Sequence, residues 1–199
     1  MNDPSSIGSA EWAAWRRAVD LDEYERRFDR VAEEGGNPHG EVDFVMRFAP
    51  TDALDAGCGF GRVAIELHRR GVDVVGVDLD PDLVDRARRR APTLDWRVDD
   101  LVTMDLERTF SLVVAAGNVI GFVEPDRRRD AVATCALHVA DGGHLVMGNQ
   151  LKASWPTIDD LVEWATAAGL EPAGIHAGWD GAPHVGGDYA VVVFTRPSG

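Results

Sequence analysis

The chain has 199 residues, 45% hydrophobic and 27% charged, enough for one domain with a substantial core and too few for two ordinary ones. Acidic residues outnumber basic ones 34 to 20, a formal charge of −14; that averaged field repels phosphate backbones and anionic membranes and argues against a nucleic-acid partner. No uncharged apolar stretch approaches the ~18 residues that span a bilayer, and Met1 to Ala10 lacks the basic start and apolar run of a secretory leader. Cys58 sits in a glycine-rich turn and Cys135 on an apolar helical stripe, so no disulfide framework is expected and a reducing, cytoplasmic setting is.

In chain order, Trp12, Trp15 and Val19 share one helical face, and Tyr24, Phe28 and Val31 share another. The break at Gly35-Gly36-Asn37-Pro38 leads to a further helix over about 39–48. From Thr51 onward short β-rich runs alternate with helix-period runs, the pattern of a parallel sheet covered on both faces. Residues 52–56 form the first strand and run into glycines. Phe60, Val63, Ala64 and Leu67 then have the spacing of one buried helical face, which Gly71 ends. Residues 72–77 carry valine at four of six positions, as suits a strand buried on both sides. Asp80-Pro81 reads as an N-cap with proline at the first helical position, opening a helix to about Arg90 that buries Leu83, Val84 and Ala87.

Strands are expected at 94–98 and 110–116, with a helix at 125–140 that buries Val132, Cys135, Ala136 and Val139. The Asp141-Gly142-Gly143 turn then leads into a fifth strand at 144–148. Thr157 and Asp160 have capping-box spacing for a helix that ends before Gly169. Two last strands, about 173–179 and 189–195, have no helix between them and should pair antiparallel. The expectation is a Rossmann-like, seven-stranded, mostly parallel sheet with helices on both faces and an antiparallel final strand. It forms one domain over 1–199: a helical cap or lid at 1–48, and a core at 49–199.

Chemistry concentrates where the first strand ends. A glycine-rich turn at the carboxyl end of such a strand lets a ligand approach the backbone; here it is Gly57-Cys58-Gly59-Phe60-Gly61. Asp78 ends the second strand, 17 residues beyond Gly61, close to the ~20 at which an acidic side chain meets an adenosine's ribose hydroxyls. Asp78 can equally cap the turn before Asp80-Pro81.

These residues carry a resemblance. The run from Ala53 to Arg62, with Asp55-Ala56-Gly57-Cys58-Gly59-Phe60-Gly61 at its centre, resembles the first motif of class I S-adenosylmethionine-dependent methyltransferases. Val74 to Pro81 looks like that family's ribose-binding segment, and Val98-Asp99-Asp100-Leu101 is similar to its adenine-contacting segment. Ala115-Ala116-Gly117-Asn118 falls where its fourth strand delivers the cofactor. The resemblance runs from about Pro50 to the C-terminus. It implies S-adenosylmethionine as cofactor and S-adenosylhomocysteine as product. Asp55 would hold the methionine amino group, and Gly57, Gly59 and Gly61 would shape the loop around Cys58. Asp78 would bind the ribose, Asp100 (or its neighbour Asp99) the adenine amino group, and Leu79 and Leu101 would sandwich the ring, with Gly117 facing the methyl donor. One departure stands out: the fourth strand carries Ser111 where the family usually has an aspartate.

A sulfonium is already a strong methyl donor, so the protein has mainly to align the acceptor. No motif supplies a general base. His39, His68, His138, His144, His176 and His184 read as structural or solvated, although the last two lie, with Trp179, Asp180 and Asp188, on the final hairpin. No metal is predicted. The arginines at 86–90 and 127–129 read as solvated faces. A small-molecule acceptor is expected, and no feature specifies an oligomeric state. Two alternatives remain at this level: a nicotinamide-dependent oxidoreductase, disfavoured because Arg62 stands where Gly-x-Gly-x-x-Gly needs its last glycine, and a non-catalytic S-adenosylmethionine-binding regulator.

Overall fold

A computed structural model describes residues 8–199; most of the stretch read for a leader lies outside the described residues. Helices α1 (Ala10–Ala18), α2 (Leu21–Glu33) and α3 (Gly40–Val45) precede the sheet. The sheet follows the order β3-β2-β1-β4-β5-β7-β6. Its strands are β1 (Asp52–Ala56), β2 (Asp73–Asp78), β3 (Asp95–Val98), β4 (Phe110–Ala115), β5 (Val139–Gln150), β6 (Glu171–His176) and β7 (Tyr189–Thr195). The five strands from β3 to β5 pair in parallel, and β7 pairs antiparallel with both β5 and β6.

The sheet is buried on both faces, because its central strands are apolar at successive positions rather than at alternate ones. On one face Leu54, Val113 and Leu145 pack with α7 (Arg128–Leu137) and α8 (Ile158–Ala167). On the other, Ala53, Val74 and Val146 pack with α3, α4 (Arg62–Arg69) and α5 (Pro81–Arg90). Caps fix several of these helices in place. Asp80 accepts the Asp82 N–H at 2.8 Å, and Thr157 and Asp160 close a reciprocal capping box on α8, as their spacing implies.

Three details differ from the sequence reading. The Asp141-Gly142-Gly143 turn lies inside β5: Phe110 pairs with Val139 but Leu112 pairs with His144, so residues 140–143 bulge out of register, with Gly142 at φ 72. The helix expected over 125–140 is a 3-10 turn, Pro125–Arg127, followed by α7, and a short α6 (Val119–Phe122) precedes it. Arg128 is no solvated residue. It is 5% exposed and donates to the carbonyls of Gly121, Val123 and Ser154, so it satisfies three backbone acceptors where α6 meets the loop before α8.

Ser111 explains its own departure. Its hydroxyl receives the N–H groups of Thr51 and Asp52 and donates to the Asp52 carbonyl, while its own N–H reaches the Asp52 carboxylate. It stitches the start of β4 to the start of β1, far from the carboxyl edge.

Candidate active site

The carboxyl ends of β1, β2 and β4 open onto one cavity of about 870 Å³, at the place where the strand order reverses and parallel sheets hold their ligands. Of the eleven residues expected in the site, Asp55, Gly57, Cys58, Gly59, Asp78, Leu79, Asp100, Leu101 and Gly117 line it. Gly61 and Asp99 do not.

The loop shows why its glycines are not equivalent. All three have left-handed φ, from 55 to 86, a region costly for side chains. A Cβ on Gly57 would stand 2.5 Å from Val119, and one on Gly61 would stand 2.5 Å from Trp96, whereas one on Gly59 meets nothing within 4 Å. Gly61 therefore lets Trp96 and Ala87 close against the loop from the core side, and Gly59 leaves an open face toward the cavity. Gly117, also at positive φ and with open space beside it, leaves a second such face at the end of β4. Cys58 contributes backbone to the wall, but its thiol is buried in the core beside Trp96, and burial pushes its pKa well up. It is an inert thiol.

The two carboxylates of the loop region are buried and held by backbone. Asp55, 2% exposed, accepts the Ala64 N–H at 3.0 Å. Asp78 accepts the Gly59 N–H at 2.8 Å and the Asp80 N–H at 2.9 Å, so it both braces the glycine loop and caps the turn after β2. Burial pushes Asp55 up to about 7 and Asp78 up to about 6, against the hydrogen bonds that pull each back down; an incoming cation or hydroxyl donor would favour the ionised forms. On the third strand's exit, Asp100 accepts the Val102 N–H. Asp99 instead accepts from Asp100 and donates its own N–H to the Asp78 carbonyl, a structural tie behind the wall.

The roof of the cavity was only partly legible in the sequence. Trp12 and Trp15 stack at 4.8 Å, Trp15 meets Tyr24 edge-on, and Tyr24 and Phe28 close on Phe60 of the glycine loop. Phe122 of α6 joins Trp12 to Trp155. The two helical faces were visible as apolar stripes, and Trp12, Trp15 and Tyr24 could be read either as a cap over a ligand or as packing of the N-terminal helices onto the sheet; spacing alone did not choose. At one end of the cavity the Trp179 indole donates to the Tyr189 hydroxyl at 2.9 Å, and burial raises that phenol to about 12. Beside them Arg62 pairs with Glu41 and lies over the Phe28 ring.

No histidine lines this cavity. His138 bridges the Leu106 N–H and the Thr134 carbonyl, His144 stacks on Phe48, and His176 packs on Phe44. Among the described residues no cluster of three or more metal-ligating side chains is present, and no helix is long and apolar enough to cross a membrane.

Comparison with known proteins agrees with this geometry. Residues 53–143 match the model of a methyltransferase domain family. A TehB-like S-adenosylmethionine-dependent methyltransferase from Corynebacterium glutamicum is 36% identical in sequence; the match covers 88% of this chain and 97% of that one, with a TM-score of 0.80. A magnesium-protoporphyrin O-methyltransferase of Rhodobacter capsulatus is 34% identical over 123 residues, covering 57% of this chain and 54% of the relative. A glycine/sarcosine N-methyltransferase of Parasynechococcus marenigrum is 27% identical over 183 residues, covering 83% and 61%. The chain spans about half the length of the curated relatives it matches. It belongs to the class I S-adenosylmethionine-dependent methyltransferase family. That membership sides with methyl transfer over the hydride-transfer alternative.

Proposed function

We propose that this protein transfers a methyl group from S-adenosylmethionine to a small-molecule acceptor held in the same cavity. The observation that carries this reading is that one cavity combines a floor suited to adenosine with an aromatic roof. Its volume of about 870 Å³ lies within the ~300–1,000 Å³ of small-ligand sites. The fit to the cofactor rests on the open faces at Gly59 and Gly117 and on the buried carboxylates of Asp55 and Asp78. Asp55 takes the amino group, Asp78 the ribose hydroxyls and Asp100 the adenine amino group. Leu79 and Leu101 pack on the ring, and the backbone of Gly57, Cys58 and Gly59 lines the approach.

Bound there, S-adenosylmethionine supplies an electrophilic methyl on a sulfonium. The protein orients the acceptor and excludes water, and orientation alone can account for much of a rate enhancement. The helices before the sheet act as a cap on the core at 49–199: α1 and α2 roof the site, which favours a small acceptor. The acidic surface disfavours a nucleic-acid acceptor, and the free, buried Cys58 and Cys135 suit a cytoplasmic setting.

The test is transfer of labelled methyl from S-adenosylmethionine to cell extract separated into small-molecule, protein and RNA fractions. Label in the small-molecule fraction is the expected result. Label confined to protein or RNA overturns the acceptor class, and absence of S-adenosylhomocysteine binding by thermal shift overturns the cofactor.

A further inference from the structure

Two corners of the cavity wall already hold cations of the chain itself, and both are built the same way. Arg62 lies 4.4 Å above the Phe28 ring and pairs with Glu41. Lys152 lies 3.7 Å above the Trp155 ring, with its Nζ 3.7 Å from Glu11 Oε2. Each joins an aromatic face to a carboxylate, and both attract a cation. The two corners differ in grip. Arg62 and Glu41 form a two-pronged pair with side chains 13% and 17% exposed. Lys152 stands farther from Glu11 than a hydrogen bond allows, and the two side chains are 48% and 38% exposed at the mouth. Such a loose pair is worth little, and the flexible four-carbon stem of a lysine can turn its ammonium out to water.

The Glu11 corner itself is fixed. The Trp155 indole donates to Glu11 Oε2 at 2.9 Å, and that bond holds the carboxyl below its ordinary range, so it stays ionised. Trp155 packs flat on Gly121, where a Cβ would stand 2.2 Å from the ring. Phe122 meets Trp155 edge-on at 5.1 Å and Trp12 at 5.5 Å. Gly121 and Phe122 belong to α6, which starts two residues after Gly117, so this corner lies on the wall that leads to the exit of β4. The cofactor reading uses Asp55, Asp78 and Asp100 and leaves Glu11 and its rings without a role. A neutral acceptor pressed into this corner would dehydrate the carboxylate without compensation, and an anionic one would be repelled. A protonated amine matches both the carboxylate and the ring faces.

We propose that the acceptor is a small amine, received as its ammonium between Glu11 and the Trp155 ring in exchange for Lys152, and methylated on nitrogen. The proposal rests on the methyl-transfer reading above. The ammonium first releases one proton to water at the mouth. The freed lone pair then forms the N–C bond as the C–S bond breaks and leaves its electron pair on sulfur. Positive charge passes from sulfur to nitrogen, and the products are a methylated ammonium and a neutral thioether. Glu11 binds the acceptor and does not act as the base.

The test is labelled-methyl transfer by the full chain to the small molecules of a cell extract, split beforehand on a cation exchanger at neutral pH. Most of the label should appear in the retained, cationic fraction. A larger share in the unretained fraction overturns the amine. Transfer to neither fraction overturns the methyl-transfer reading beneath it instead. Glu11→Gln keeps an oxygen for the Trp155 indole and removes the charge. It should slow transfer to the retained fraction, at limiting acceptor, by about threefold or more, and leave S-adenosylhomocysteine affinity within about threefold of wild type by calorimetry. A smaller loss of rate, or a matching loss of S-adenosylhomocysteine affinity, overturns the proposal. Lys152→Met empties the corner and should raise the same rate; an unchanged or lower rate overturns the exchange. Circular dichroism of each variant separates lost transfer from lost folding.

Discussion

The floor and the roof of the cavity are held together by different physics. The floor is the end of a continuous apolar sheet: Leu54, Val75 and Val113 are buried, and the glycine loop is braced by backbone donors to Asp78 and Asp55. The roof has little core of its own. In α1 only Ala13 is a buried helix residue, and the helix is anchored by point contacts. Ser9 donates to the Phe122 carbonyl, Arg16 reaches Asp80 at 2.8 Å and Asp82 at 2.9 Å, and Glu11 accepts from the Trp155 indole at 2.9 Å. Arg86 of α5 reaches up to Asp22 and Glu25 of α2. Apolar burial makes the floor cooperative with the whole domain. A helix held by a few polar and aromatic contacts can open below the global unfolding free energy.

The largest test of this contrast lies in the floor. Gly61→Ala combines left-handed strain of about 1–3 kcal/mol with overpacking against Trp96 of about 1–3 kcal/mol. It should therefore lower global stability by about 2–5 kcal/mol, measured by denaturant unfolding, although Gly61 never faces the cavity. An unchanged midpoint would mean that the loop is as loosely held as the roof.

Arg16→Ala is the matching test for the roof. It leaves the 2%-exposed Asp80 without its counter-charge, though the Asp82 N–H remains, at a cost of about 1–3 kcal/mol. That cost should fall on α1. Hydrogen exchange should quicken in residues 10–18 while β1 and β4 amides keep their protection. Uniform loss of protection would show that roof and floor unfold as one.

A third test uses pH. Asp55 at about 7 and Asp78 at about 6 hold protons in the folded state that the unfolded chain releases near pH 4. Their contribution to stability is therefore greatest at low pH and declines as pH rises from about 4 to 7. Ligand binding should run the other way. An ammonium or hydroxyl donor favours the carboxylate, so S-adenosylhomocysteine affinity should rise about tenfold between pH 5 and 7.5 by calorimetry. A flat profile would remove one or both aspartates from the cofactor contact. The smallest effect belongs to Arg97→Ala, which breaks an exposed pair with Asp95 and should change stability by less than about 0.5 kcal/mol in the same denaturant assay.

Much of the floor was readable along the chain. The bounds of β1, the Asp80-Pro81 start of α5, the Thr157–Asp160 capping box and the last strand follow from local rules and appear where those rules put them, while the strand before it, expected at 173–179, lies at Glu171–His176. Most of the cavity-lining residues of the floor were legible for the same reason, since strand, glycine turn and acidic residue lie close together in sequence. The roof was not. Trp12, Trp15, Tyr24, Phe122 and Trp155 come from four separate segments, and their meeting depends on how α1 and α2 cross the sheet edge. The bulge in β5 was read as a turn because glycines signal both, and only pairing with β4 distinguishes them.

By itself, then, the sequence determined the alternation of strands and helices and the glycine turn with its two acidic partners, because those depend on φ preferences, capping and periodicity within a few residues. The tertiary structure decided which glycines face the cavity and which face the core, since that is a matter of what packs behind each Cα. It also decided that Asp99 ties the wall together from behind and that Arg128 is buried. Each of these rests on contacts between separate elements, made only when the strands assemble side by side and the helices pack on them.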